Sequence, residues 1–134
     1  YEAIGRDCNA LADRLEHHFP VGAVSDWKGA IVAAVSSHFG EIPHQRCLAH
    51  VVRQAKRLLP LNSPFAATQK LRWIAENIIV LETFRDPAVW NTLLVRWEKE
   101  YGAMLKEKTM APAGTTRRWW YTHGNLRRAW RLLT

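Results

Sequence analysis

Cysteine is nearly absent: Cys8 and Cys47 are the only two in 134 residues, too few for a disulfide framework and consistent with a reducing compartment. Glycine is also scarce. Gly22, Gly29 and Gly40 lack the spacing of a phosphate-cradling loop, which excludes the familiar nucleotide-binding motifs. The longest apolar run of note, Ala30-Ile-Val-Ala-Ala-Val35, falls well short of a bilayer span, and no secretory leader pattern is recognisable. No membrane partner is therefore expected. Low-complexity tracts are missing too. With 48% hydrophobic and 23% charged residues, the composition is that of an ordinary globular domain with room for a core.

The most informative absence is of negative charge. From Lys108 to Thr134 there is no Asp or Glu, so Lys108, Arg117, Arg118, Arg127, Arg128 and Arg131 supply six of the seven net positive charges. Trp119, Trp120, Tyr121 and Trp130 lie among these arginines. Guanidinium groups pair with phosphates, and aromatic faces stack on bases. The segment thus points to a nucleic-acid partner, with Arg117, Arg118, Arg127, Arg128, Arg131, Trp119 and Trp120 as candidate contacts. The plainer alternative is a solvated basic helix face with no ligand.

Periodicity divides the chain near Pro60. In residues 1–60, Ile4, Cys8, Leu11 and Leu15 form one apolar stripe on a first helix. A strand over Val21–Val24 follows Pro20, then a helix over 28–39 that stops at Gly40, a strand over 42–47 and a helix over 48–59. Two strands joined through one helix in so few residues imply a parallel crossover. In the helix over 48–59, Leu48, Val51, Val52, Ala55 and Leu59 share a face opposite Arg53, Lys56 and Arg57.

Residues 61–134 read as helical throughout. Leu71, Ile74, Ile78 and Leu81 mark a helix over 65–81, and Asp86-Pro87 caps and opens a helix over 87–106. The stripe of that helix includes Trp90, Leu94, Trp97 and Tyr101, with the tryptophans as packing anchors. Residues 109–116 are expected to be a loop. A last helix over 117–133, kinked at Gly124, would put Trp119, His123, Leu126, Trp130 and Leu133 opposite Arg117, Arg128 and Arg131. The expected fold is mostly helical: an α/β part with a parallel strand pair, then an all-α region.

Chemistry concentrates at Asp26. A carboxylate at the C-terminal tip of a strand suits a metal ligand or catalytic acid. The same residue suits the N-cap of the following helix, and both roles stay open at this point. Other constellations are thinner. Cys47-Leu-Ala-His50, with His44 upstream, is short of a convergent zinc set, so a buried thiol and a hydrogen-bonded histidine are the simpler reading. Ser36-Ser37-His38 lacks an orienting acid and reads as an exposed helix face. His17-His18 forms no recognised pair.

Ser25-Asp26, a helix, and then Pro43-His-Gln-Arg-Cys47-Leu-Ala-His50 resemble the core of Mutator-like transposases and their bacterial insertion-sequence relatives. In those proteins an SDG strand end is followed by a helix and a Q-R-C-x-x-H segment. Residues 115–130 are similar to the basic, tryptophan-rich end of the helical insertion in some bacterial members, so the resemblance spans residues 5–133. It departs at Trp27, where the family has glycine.

The resemblance implies a partial ribonuclease H-like core in residues 1–60 and a helical insertion in residues 61–134. It implies DNA cleavage and strand transfer by an Asp-Asp-Glu triad, with Asp26 as the second acid and a metal ligand. Gln45, Arg46, Cys47 and His50 form a family segment without an assigned role. The first Asp is expected upstream of Tyr1 and the Glu beyond Thr134, in a T-N-x-x-E segment, so this sequence reads as an internal piece. In the whole protein the carboxylates would hold two Mg²⁺ ions about 4 Å apart. The isolated chain is expected to hold no metal tightly and to cleave nothing. The partners implied are transposon-end and target DNA in a bacterial cytoplasm, at the nucleoid, with self-association covering the open edge of the strand pair. The competing reading is a non-enzymatic helical DNA-binding or assembly module.

Overall fold

Short β-prone pieces alternate with amphipathic runs. They give six α-helices, one parallel strand pair and one antiparallel hairpin among the residues described by the computed structural model, which are 2–15, 20–79 and 87–134. The protein is mostly helical. Its contacts group into two compact units, Tyr1–His50 and Val51–Thr134. No helix among the described residues is long and apolar enough to cross a membrane.

In the first unit α1 (Glu2–Leu15) packs against α2 (Gly29–Phe39). The apolar stripe expected on α1 is only partly used. Cys8 is half-buried, whereas Leu11 and Leu15 stay 59% and 40% exposed. A polar clamp joins the two helices instead, with His38 Nε2 2.9 Å from Asp13 Oδ1. Strand β1 (Ala23–Ser25) pairs in parallel with β2 (His44–Arg46), and Val24 lies opposite Gln45. The ladder is bounded by Ala23 N–H donating to Pro43 O and Cys47 N–H donating to Ser25 O. Gly40 ends α2 at φ 63° and ψ −134°, a conformation open to glycine and closed to residues with a Cβ. Helix α3 (Leu48–Leu58) begins directly after β2.

The second unit is built on helical stripes. Val51, Val52 and Ala55 of α3 are buried, while Arg53, Lys56 and Arg57 are exposed, as the sequence predicts. Arg72 of α4 (Ala66–Asn77) reaches back to the end of α3, where its Nη1 donates to Leu59 O at 2.6 Å and satisfies a carbonyl that the helix leaves open. Helix α5 (Pro87–Tyr101) continues into a 3-10 turn, Gly102–Leu105, so the predicted helix over 87–106 tightens in its last turn. Leu81 and Asp86 lie outside the described residues.

The centre of this unit is Trp97, 2% exposed. Its indole N–H donates to Ala67 O of α4 at 2.9 Å, and its ring stacks on Trp130 with centroids 4.9 Å apart. Trp90 repeats the device, donating to Ile74 O at 3.1 Å. Both tryptophans bury a large apolar surface while the one polar atom of each stays paired.

The C-terminal segment departs from expectation. Residues 117–133 are not one helix and residues 109–116 are not simply a loop. Strands β3 (Lys108–Met110) and β4 (Trp119–Tyr121) form an antiparallel hairpin, and α6 runs only from Gly124 to Leu133. The physical reason is local. Trp119-Trp120-Tyr121-Thr122 is rich in β-forming side chains, and Pro112 with Gly114 at φ 88° turns the chain between the strands. Thr109 and Thr122 hydroxyls, 2.8 Å apart, close the pair on one side. Gly124 is the first residue of α6, not a kink within a longer helix.

Trp97→Ala removes the ring that both α4 and α6 pack on, and should lower unfolding free energy by about 3–5 kcal/mol. Trp73→Ala, at a site 51% exposed, should change it by less than about 1 kcal/mol. Urea unfolding of the two variants checks the ranking, and equal losses would contradict this assignment of the core.

Candidate nucleic-acid interface

Helix α6 turns Leu126, Ala129 and Leu133 inward, and the helical period leaves Arg128 and Arg131 outward. Hairpin strand β4 lies beside this outer face. Together they enclose a concavity of about 580 Å³ lined by Arg117, Trp119, Trp120, Tyr121, Gly124, Asn125, Arg127, Arg128 and Arg131. Among the described residues no carboxylate lines it. Six of the seven candidate contacts read from the sequence meet here, and Arg118, exposed, is the one left off the wall.

The aromatic wall is only partly engaged. Lys108 Nζ sits 4.0 Å from the Trp119 ring centre, and the Tyr121 ring meets Trp119 edge-on at 5.1 Å. Arg127 lies 4.1 Å from the Tyr121 ring. Such cation–π contacts contribute about 0.5–1 kcal/mol each at exposed sites. Trp120 is 41% exposed and has no ring or cation partner among the described residues. A neighbouring concavity of about 510 Å³ shares Gly124 and Asn125 with this one. Among the described residues it holds no arginine or lysine, and Phe65 and His123 form its aromatic wall.

Asp26 follows the last residue of β1, at the C-terminal end of the parallel pair. It is not the N-cap of α2. That position is Lys28, which has no side-chain cap bond. Asp26 instead closes a turn one step earlier. Its Oδ1 accepts the Lys28 N–H at 3.3 Å, and its Oδ2 pairs with Lys28 Nζ at 3.2 Å. Partial desolvation pushes the carboxyl pKa up. The hydrogen bonds and charge of Lys28, with the charge of His50, outweigh that, so the group lies below its ordinary 3.8. The acid is ionised at neutral pH and already neutralised by its own neighbour.

Between them stands Trp27 at φ 64°, the left-handed region that disfavours large side chains by roughly 1–2 kcal/mol. Three contacts hold it there. Ser25 Oγ accepts its N–H at 3.1 Å, its ring lies 4.7 Å from the His44 ring, and the Arg46 guanidinium is 5.6 Å from the ring centre. Ser25 Oγ also meets His44 Nε2 at 2.8 Å, tying β1 to β2.

The remaining motif residues do not converge on one ligand. Gln45 is exposed, and its amide nitrogen donates to Arg46 O. Cys47 is half-buried, with its backbone in the ladder, and His50 lies in the first turn of α3, its Nδ1 buried without a hydrogen-bond partner among the described residues. Among those residues no three His, Cys, Asp or Glu side chains come together as a metal set. Of the acids that the resemblance implies for a two-magnesium centre, the residues described supply one, Asp26. Asp26 is a single carboxylate whose cation is Lys28.

One constellation was missed. Asp13 supplies the acid absent from the Ser36-Ser37-His38 neighbourhood, with Ser37 Oγ 3.0 Å from His38 Nδ1. The Ala34 carbonyl also lies 3.0 Å from that nitrogen. Asp13 Oδ1 at one ring nitrogen, with the Ala34 carbonyl and the Ser37 hydroxyl at the other, clamps α1 to α2.

Comparison with protein-family models, curated proteins and solved structures gives no match.

The turn at Trp27 makes a direct prediction. Trp27→Gly relieves the left-handed strain and should stay within about 1 kcal/mol of the parent, whereas Trp27→Val, β-branched, should lose about 1–2 kcal/mol. Thermal unfolding of both variants decides it, and a larger loss for glycine than for valine would contradict the strain argument.

Proposed function

We propose that this chain is a segment of a DNA transposase of the Asp-Asp-Glu type, and that its own task is to hold DNA in the concavity between β4 and α6. The observation that carries the reading is that concavity, in which four arginines meet Trp119, Trp120 and Tyr121 with no acid on the wall among the described residues. Arg117, Arg128 and Arg131 are exposed and suited to paired hydrogen bonds with phosphate oxygens, while Trp120 offers a face to a base.

Support for the transposase lineage comes from the first unit. Asp26 stands at the C-terminal end of a parallel pair, with Gln45 and Arg46 on the neighbouring strand and Cys47 and His50 just beyond it. Trp27, where the family has glycine, takes a backbone conformation that favours glycine. A ribonuclease H-like core would need further strands beside β1 and β2, and the catalytic centre would need two more acids from outside this sequence. Lys28 would then have to release Asp26. That pairing also favours a second reading, a non-enzymatic DNA-binding module in which Asp26 only shapes a turn.

DNA titration at several salt concentrations tests the binding site. Alanine at Arg117, Arg128 or Arg131 should each weaken binding and reduce the slope of log K against log salt by about 0.7–0.9. Asp26→Asn should leave affinity unchanged. Unaltered slopes in all three arginine variants would remove the DNA site. Cleavage supplies the second arm. Under the transposase reading, the isolated chain cuts no DNA with Mg²⁺ or Mn²⁺, while the protein carrying all three acids loses cutting on Asp26→Asn and keeps binding. Retained cutting would leave the module reading.

The open strand pair makes a further prediction. The sheet has two strands among the described residues, β1 and β2, and self-association of the isolated chain would cover its edge. Light scattering should show apparent mass rising with concentration, and a strict monomer throughout would exclude it.

A further inference from the structure

Arg127 stands among the arginines of the concavity, but its surroundings differ from theirs. Arg117, Arg128 and Arg131 are exposed, whereas Arg127 is half-buried. Its Nη1 donates to Leu105 O at 3.0 Å, and its guanidinium carbon lies 4.1 Å from the centre of the Tyr121 ring. Leu105 ends the 3-10 turn, where a carbonyl has no partner within its own turn, and its side chain is 7% exposed. One side chain on α6 therefore touches both ends of the hairpin's attachment. It holds the carbonyl just before β3 and the aromatic ring on β4.

We infer that Arg127 is a positioning residue, which fixes the hairpin against α6 and so sets the distance between Trp120 and the phosphate-facing Arg128 and Arg131. This rests on reading the concavity as the DNA site. A planar guanidinium can meet the Tyr121 ring through its face while donating in its own plane to Leu105 O. An ammonium at the same place carries the charge but cannot do both. The DNA contacts are then made by Arg117, Arg128 and Arg131, and Arg127 contributes through geometry, not through a phosphate bond.

The test uses Arg127→Lys and Arg127→Ala beside Arg128→Ala, with two readouts. The first needs no DNA: hydrogen exchange of the Ala111 and Thr122 amides, which donate to Arg118 O and Glu107 O across the hairpin. Both Arg127 variants should speed these two amides by about tenfold while amides in α4 keep their protection, which also shows that the core is folded. The second is DNA affinity against salt. Arg127→Lys should bind about tenfold more weakly with the parental slope, whereas Arg128→Ala should reduce the slope by about 0.7–0.9. Parental exchange and parental affinity in Arg127→Lys would overturn the inference. So would a slope in Arg127→Ala reduced as in Arg128→Ala, since that marks a phosphate ligand. If the parent chain binds no DNA, the functional reading fails, and the exchange rates alone decide whether Arg127 holds the hairpin.

Discussion

The stacking of Trp97 on Trp130 is the constraint on which the basic surface depends. Trp97 is fixed to α4 through Ala67 O, and Trp130 belongs to α6, so the stack sets how α6 is rotated about its axis. Once Trp130, Ala129, Leu126 and Leu133 turn inward, Arg128 and Arg131 have only the outer face left. The core thus aims the charges, and a change in its packing is felt as a change in where the guanidinium groups point.

Gathering arginines on one wall is unfavourable in the free protein, because like charges repel and no carboxylate stands among them in the described residues. The fold offsets part of this locally. Lys108 is turned onto Trp119 and Arg127 onto Tyr121, where ring faces take up some of the charge. Arg117, Arg128 and Arg131 have no ion pair among the described residues. A phosphate entering the concavity would relieve that repulsion and find groups already ordered by a hairpin and a helix, which reduces the entropy cost of binding. Asp26 is in the opposite condition. Lys28 satisfies it from two residues away, so in this chain it shapes a turn before it can serve any chemistry.

Much of the fold was legible where one period governed the residues. The buried face of α3 and the stripes of α4 and α5 all follow helical spacing. The parallel pairing of β1 with β2 followed from two short strands joined through a helix. Legibility failed where the decisive partner lay far off in sequence. Asp13 meets His38 across 25 residues, which no local pattern reveals. Leu11 and Leu15 sit at helical spacing yet remain exposed, since periodicity says which residues share a face and not whether that face is covered.

The candidate site was legible in composition and not in geometry. The stretch without acids identified the arginines and tryptophans, but a helical reading put Trp119 opposite Arg117, Arg128 and Arg131. The hairpin brings all four to one wall. Its signal was present as two β-prone runs around Pro112 and Gly114, and the strong period of α6 obscured it. The central claim is that nucleic acid enters this concavity and touches its aromatic wall. Titrating a short oligonucleotide while following the indole N–H resonances tests it most directly. Trp119 and Trp120 should shift while Trp90 and Trp97, whose indole N–H groups are held by α4 carbonyls, stay in place. Shifts confined to Trp73, or none in Trp119 and Trp120 at saturating oligonucleotide, would contradict it.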